Sequence, residues 1–335
     1  LGKEIAEIAK TLGFGGIFHS DELPNYKITE GEVNKINKKL SCSENDSFIL
    51  ITGTSKNINN ALNSIKNRII NLDHKPFIIA EMSGNHNQSL DRALEIVEAA
   101  SKTGVNALKI QTYTADTITL DISEGEFFIE DKNSLWKGKS LYELYEEAYT
   151  PWEWHEPIMK HANELGMICF STPFDDTAVD YLEDLNVPAY KIASFENTHL
   201  PLIKKVASTG KPMIISTGMA SVAEMDEMVQ TIRDAGLEQF ILLKCTSTYP
   251  ATPENSNVLT IPHMRKLFNC EVGLSDHTMG IGVSVAAVAH GATVIEKHFT
   301  LNRADGGVDS AFSMEPEEMK ALVIETERAW ESLGK

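Results

Sequence analysis

From residue 77 onward, short apolar runs alternate with stretches whose apolar positions recur at the three-to-four-residue spacing of a helix face. The runs are FIIAE (77–81), ALKIQT (107–112), MICFST (167–172), AYKIAS (189–194), MIISTG (213–218), FILLKCTS (240–247), EVGLSDH (271–277) and TVIEKHFT (293–300). Helical periods occupy 89–102, 174–184, 221–235 and 281–290, and 315–333 follows the last run. Eight strand–helix units in about 260 residues match the size of an α/β protein of the (β/α)8 TIM-barrel type. The alternation implies parallel strands joined by right-handed crossovers. A doubly wound open sheet is the alternative, but no G-x-G-x-x-G follows the first run. Residues 113–150 read as an insertion after the second strand, a loop with an extra helix, and PWEWHEP (151–157) reads as the start of the next helix. Ahead of the barrel, residues 1–74 predict a helix (3–11), a Gly-rich turn, a strand (48–54) and a second helix (57–71).

Each run ends in polar or charged residues on its C-terminal side. In order they are Glu81 with Asn85 and His86, Lys109 and Gln111, Ser171 and Thr172, Lys191 with Ser194 and Glu196, Ser216 and Thr217, Thr246 and Ser247, Ser275 with Asp276 and His277, and Glu296 with His298. One such end is a solvated or capping side chain as readily as a functional one. In a barrel all of them lie on a single face, and that face carries the active site. Lys109 and Lys191 bring fixed positive charge to it, and Ser194, Ser216 and Ser247 bring hydroxyl donors, a set suited to a phosphate and a carboxylate. His277 and His298, on neighbouring strand ends, can each give an imidazole nitrogen to one divalent metal and leave positions open, as a Lewis-acid site requires.

Charge refines this picture. Residues 1–74 hold nine Lys/Arg and nine Asp/Glu, so the net −18 lies in the remainder, where 21 basic residues face 39 acidic ones. An acidic body argues against non-specific nucleic-acid or anionic-membrane binding, and admits an anionic small molecule only where a few lysines converge. The composition, 42% hydrophobic and 23% charged, is that of globular proteins. No apolar run approaches the roughly 20 residues of a membrane helix, and LGKEIAEIAK at the start lacks the layout of a secretory signal. Cys42, Cys169, Cys245 and Cys270 form no C-x-x-C pair and read as reduced thiols, so a cytoplasmic location is expected.

With these residues laid out, the segment from about 76 to 335 closely resembles the sialic acid synthase family. The resemblance is carried collinearly by FIIAEMSGNHNQ, ALKIQTYT, ICFSTPFD, PAYKIASFE, KPMIISTGMA, LLKCTSTYP, GLSDHT and IEKHFTLNR. Within the family, SGNHNQ (83–88), LWKGKSLYELY (135–145), YTPWEWH (149–155) and GGVDSAFSMEP (306–316) resemble the pseudaminic acid branch. The resemblance implies that C3 of phosphoenolpyruvate attacks the aldehyde of an open-chain acetamido sugar. A divalent metal, Mn2+ before Mg2+ or Co2+, would polarise that carbonyl, and phosphate would leave to give a nine-carbon α-keto acid. Matched motif by motif, the phosphoenolpyruvate contacts fall on Lys109, Thr172, Lys191, Ser194, Ser216, Ser247 and Ser275, and the metal ligands on His277 and His298. Glu81 and Glu196 match the family's acidic pair, Glu196 placed for the water that attacks C2 and Glu81 for the metal-bound water or a sugar hydroxyl. Gln111, Tyr249, Asp309 and Phe312 fall where the family encloses the sugar, and Ser247 stands where the sialic acid branch has Asn. The implied acceptor is 2,4-diacetamido-2,4,6-trideoxy-altrose.

The expected organisation is therefore a (β/α)8 synthase barrel over 75–335 preceded by a small α+β module over 1–74. Through LGKEIAEIAKTLGFGGIFHSDELPNYKITEGEV that module resembles the GAD domain of archaeal glutamyl-tRNA amidotransferases. The family's C-terminal antifreeze-like domain, which gives the sugar an Arg across a domain-swapped dimer, is expected to be absent, since the chain closes on ESLGK. A homodimer through the barrel is still expected. Rival readings are an N-acetylneuraminate or legionaminate synthase, differing only in the sugar, and a deoxy-sugar-phosphate synthase, which needs an Arg-rich mouth. A tRNA or translation-partner binding module is the reading from another class, and the balanced charge of 1–74 speaks against it.

Overall fold

The computed structural model describes residues 70–132 and 134–334. The chain divides between Ile69 and Ile70, and the second unit holds every described residue. The expectations for residues 1–69, the GAD-like module among them, lie outside the described residues.

Eight parallel strands close into a barrel in sequence order. They are β1 (Phe77–Glu81), β2 (Ala107–Thr112), β3 (Ile168–Pro173), β4 (Tyr190–Ile192), β5 (Met213–Ser216), β6 (Phe240–Cys245), β7 (Glu271–Ser275) and β8 (Val294–His298). Strand β8 returns to β1 in a register that sets Glu81 beside His298, while the β1–β2 register sets Glu81 beside Lys109. The apolar runs overshoot the strands at their C-terminal ends. AYKIAS yields only Tyr190–Ile192, because Ser194–Glu196 winds into a 3-10 turn, and FILLKCTS stops at Cys245. Ser194, Glu196, Thr246 and Ser247 are thus loop residues at the rim, free of the alternation that a strand would impose on them.

Helices cover the outside where the period placed them. Leu90–Thr103 starts at Ser89, whose hydroxyl accepts the Arg92 N–H, and stops at Gly104, whose φ of 88° is left-handed. Its Ala93, Ile96, Val97 and Ala100 face the strands at helical spacing. Strand residues alternate between two cores. Ile78 and Ala80 pack outward against the helices, whereas Ile79 points inward with Ala107, Phe170, Ile214, Leu243 and Val294 to fill the barrel. Gly273 has no alternative in that inner layer, since a Cβ there would lie 2.3 Å from the Val294 carbonyl oxygen and 2.8 Å from Leu243 Cδ2. The insertion after β2 contains the expected extra helix, Leu141–Ala148, capped reciprocally by Ser140 and Glu143.

Behind the wall, β7 and β8 are tied by a buried ion pair. Lys297 Nζ lies 3.0 Å from Asp276 Oδ2 and donates to the carbonyls of Thr278 (2.7 Å) and Gly280 (2.9 Å). Asp276 in turn accepts from the Thr278 backbone N–H and from the hydroxyls of Thr278 and Ser284. Every donor and acceptor of the pair is thereby engaged, which is what makes two charges tolerable inside a protein. Asp276→Ala should cost about 3–5 kcal/mol in chemical denaturation, because it strands the Lys297 ammonium. Adding Lys297→Met in the same chain should restore most of that loss. A single-variant loss below about 1 kcal/mol would show the pair to behave like a surface one.

Candidate active site

The barrel interior changes from apolar to polar in one step. Two residues beyond Ile79, Ala107, Phe170, Ile214, Leu243 and Val294 stand Glu81, Lys109, Thr172, Ser216, Cys245 and Glu296. The period of two aims these at the same axis. Lys109 joins several of them. Its Nζ lies 2.5 Å from Glu81 Oε2 and 3.8 Å from Glu296 Oε2, and it donates to Thr172 Oγ1 at 3.2 Å. The close approach to Glu81 is a buried ion pair. Lys191 donates to Glu296 Oε1 at 2.9 Å, and Ser275 donates to the same oxygen at 3.1 Å.

Burial raises the pKa of a carboxyl and lowers that of an amine, and paired charges oppose it. At Glu296 burial is outweighed by Lys109 and Lys191, which hold the carboxyl well below its usual range. At Glu81 burial, with the charge of Glu296, outweighs Lys109 and the weaker pull of Lys191, so its pKa rises. Lys109, between two carboxylates, stays firmly protonated despite burial, whereas burial draws Lys191 down. Two buried lysines balanced by two carboxylates of unequal basicity can take an incoming anion, with Glu81 the carboxyl readier to hold a proton.

The two histidines stand side by side, ring centroids 5.4 Å apart. Burial, then the charges of His277 and Lys109, keep His298 neutral, and its Nδ1 has no hydrogen-bond partner, with Asp309 Oδ2 3.8 Å away. His277 Nδ1 lies 2.9 Å from the Thr246 carbonyl, which assigns the proton to Nδ1 and leaves Nε2 as an acceptor. Burial opposes its protonation, but Cys245 beside it outweighs that and raises its pKa, while His277 brings the Cys245 thiol down to about 7 against burial. No group of three or more His, Cys, Asp or Glu able to hold a metal occurs among the described residues. The donor set fits an open, two-imidazole site completed by water or substrate better than a closed structural one.

The sugar-facing candidates surround this pair. Gln111 donates to Glu81 Oε1 at 3.0 Å and to Ser83 Oγ at 3.4 Å, and Ser83 donates to Asp309. Tyr249 lies 4.5 Å from His277 and 5.3 Å from Phe312, and Phe312 lies 4.9 Å from His298, centroid to centroid. Across the mouth, Gly218 donates its N–H to Ser194 Oγ at 3.1 Å. A Cβ on Gly218 would sit 2.3 Å from Ser247 Oγ and 2.9 Å from Ser194 Oγ, so glycine keeps the two hydroxyls within reach of one ligand.

Every predicted residue except Glu196 and Ser216 makes a side-chain contact at this mouth. Those two are the informative exceptions. Glu196 Oε2 and Ser216 Oγ are buried without a hydrogen-bond partner among the described residues, the condition a bound ligand relieves. Burial raises Glu196 to about 7, with Lys191 only partly opposing it. Sequence reasoning placed Glu296 at a strand end but gave it no task. The signal was its i, i+2 spacing from His298, which puts both on the inner face of β8. Ser83, Cys245 and Gly218 had no such signal, since each acts only through partners distant in sequence.

The chain is similar to known proteins. The NeuB family matches residues 96–335. A pseudaminic acid synthase of Campylobacter jejuni subsp. jejuni serotype O:2 is 45% identical over 264 residues, covering 79% of this chain and 76% of that protein. A pseudaminic acid synthase of Helicobacter pylori is 42% identical over 259 residues, covering 77% of this chain and 76% of that protein. Among solved structures, the N-acetylneuraminic acid (sialic acid) synthetase of Leptospira borgpetersenii serovar Hardjo-bovis in complex with citrate superposes with a TM-score of 0.70 at 31% identity. That similarity covers 78% of this chain and 86% of that one.

Glu196 offers a direct check on the electrostatics. Its folded pKa of about 7 exceeds the unfolded value near 4.5, so the native state binds the extra proton and stability falls as pH rises between the two. Glu196→Gln removes that penalty. The melting temperature of the variant minus that of the wild type should increase from pH 4.5 to 7 and level off above. A difference independent of pH would contradict the buried carboxyl.

Proposed function

The chain belongs to the NeuB family, and we propose that it is a pseudaminic acid synthase. On this reading it condenses phosphoenolpyruvate with open-chain 2,4-diacetamido-2,4,6-trideoxy-altrose and releases inorganic phosphate. The observation that carries the proposal is the paired-lysine layer at the barrel mouth, Lys109 and Lys191 over Glu81 and Glu296, inside an otherwise acidic protein. Lys109, Lys191 and Thr172 would hold the phosphate and carboxylate of phosphoenolpyruvate, with Ser194, Ser216, Ser247 and Ser275 donating hydroxyls. C3 of that substrate forms a bond to the sugar aldehyde carbon, whose oxygen becomes a hydroxyl. Water adds at C2, the C–O bond to phosphate breaks, and the α-keto acid remains.

Glu196 suits the water step. A carboxyl titrating near neutrality takes a proton from water at working pH without being locked in a salt bridge. Gln111 and Asp309 orient the sugar through the chain that includes Ser83, and Glu81 meets a sugar hydroxyl or bound water. A divalent metal, Mn2+ or alternatively Mg2+ or Co2+, held by His277 and His298 would supply Lewis-acid polarisation of the aldehyde. The neutral imidazole of His298, whose Nδ1 has no hydrogen-bond partner among the described residues, supports that assignment. Assembly as a homodimer and a cytoplasmic location belong to the same proposal. Among the described residues no helix is long and apolar enough to cross a membrane.

Phosphate release from phosphoenolpyruvate should require the altrose derivative and a divalent metal, and should stop with EDTA. Release with N-acetylmannosamine or the legionaminic precursor instead would move the chain to a sister activity. His298→Ala should lower kcat/KM about 100-fold or more, the scale of a lost Lewis acid, and weaken Mn2+ binding by titration while leaving the thermal melt intact. Unchanged metal affinity would overturn the ligand assignment.

A further inference from the structure

The insertion after β2 brings one residue to the barrel mouth that neither the polar layer nor the proposed chemistry uses. Phe128 bridges Ser140 in antiparallel fashion, the Ile129 N–H donates to the Lys139 carbonyl at 3.0 Å, and the Gly138 N–H returns to the Ile129 carbonyl at 2.9 Å. This short hairpin carries Trp136. The Trp136 indole N–H donates to the Val308 carbonyl at 2.7 Å, which fastens the ring to the loop after β8, next to Asp309. Its ring lies 6.2 Å from that of Tyr249. From Tyr249 the ring contacts continue through Phe312 to His298, and directly to His277. One row of rings thus runs from the imidazole pair outward and ends on Trp136.

The hydrogen-bonding capacity of this row is nearly spent. Beyond the imidazole pair, the Trp136 N–H is committed to Val308, Phe312 has none to offer, and the Tyr249 hydroxyl remains, kept protonated by burial. The polar groups of the mouth form a separate connected set, Gln111, Glu81, Ser83 and Asp309. A substrate hydroxyl against the indole finds no free donor or acceptor on that ring, whereas a methyl group gains dispersion contacts with it.

We propose that Trp136 is a specificity-determining residue of the acceptor site, its indole forming the outer wall against a terminal methyl group of the sugar and disfavouring a hydroxymethyl. The proposal rests on the acceptor reading given above and assigns a chain position to the part of it that concerns the deoxygenated end. An apolar pocket rejects an added hydroxyl by about 100-fold, so selection of that order is within reach of one such wall.

The test compares two acceptors that differ only at C6, 2,4-diacetamido-2,4,6-trideoxy-altrose and its 6-hydroxy counterpart, using kcat/KM from phosphate release by the full chain. The wild type should prefer the deoxy sugar by about 10- to 100-fold. In Trp136→Ala that ratio should fall about tenfold or more, while KM for phosphoenolpyruvate stays unchanged. Trp136→Leu, which keeps an apolar wall, should retain most of the preference, and Trp136→His should lose it. These two variants carry the comparison should Trp136→Ala fail to fold. A preference retained in Trp136→Ala or Trp136→His, or equal losses on both acceptors, would overturn the Trp136 assignment and leave the synthase reading standing. Wild-type turnover confined to a different sugar would overturn the acceptor reading itself, and the methyl assignment with it.

Discussion

Four charges share the last layer inside the barrel, and the arrangement of everything around them follows from the need to keep each one paired. Glu81, Lys109, Lys191 and Glu296 are almost fully buried, where an isolated ion would be neutralised or expelled. They can stay only because they come from four different strands whose inward faces converge, so each cation finds a carboxylate within a few ångströms. The apolar layer beneath, Ile79 with Phe170, Leu243 and Val294, fixes that convergence. Remove the closure of the sheet and the charges have no partners.

The fold was legible because its signal is local. A run such as FIIAE declares a covered strand, and the helix from Leu90 declares itself by Ser89 at one end and Gly104 at the other. The site was legible only as a list of ends. That Lys109 and His298 stand at strand termini can be read along the chain. That Lys109 faces Glu81 is set by the register of β1 with β2, and that Lys191 faces Glu296 by the closure of the barrel, neither of which any single segment contains. The same holds for Gly218, whose need for no side chain comes from hydroxyls at Ser194 and Ser247. The overshoot of the runs at β4 and β6 has the same origin, because a polar tail in extended sequence looks like strand until a turn such as Ser194–Glu196 claims it.

Residues that select a substrate are held differently from those that would act on it. The lysines and histidines belong to strands or to the residues next to them, elements that cannot move without opening the barrel. Trp136 belongs to a hairpin of the insertion, where its indole hydrogen bond to Val308 and a ring contact to Tyr249 reach the mouth. Such a division leaves the rigid layer to orient reacting groups and gives the attached loop the task of shaping the acceptor pocket. Changes in the insertion can therefore alter which sugar fits without disturbing the charges below.

The pairing of Asp276 with Lys297 has a consequence for motion. Each is the immediate chain neighbour of a histidine, His277 and His298, and the two span the outer side of β7 and β8. A fluctuation that peels either strand end away must break the ion pair and expose an ammonium stripped of its carbonyl partners. Small, independent excursions of one histidine are thereby suppressed, and the two strand ends open together or not at all. The imidazole pair sits on a single cooperative unit, in which amide protons of both strand ends exchange with solvent through one shared opening event.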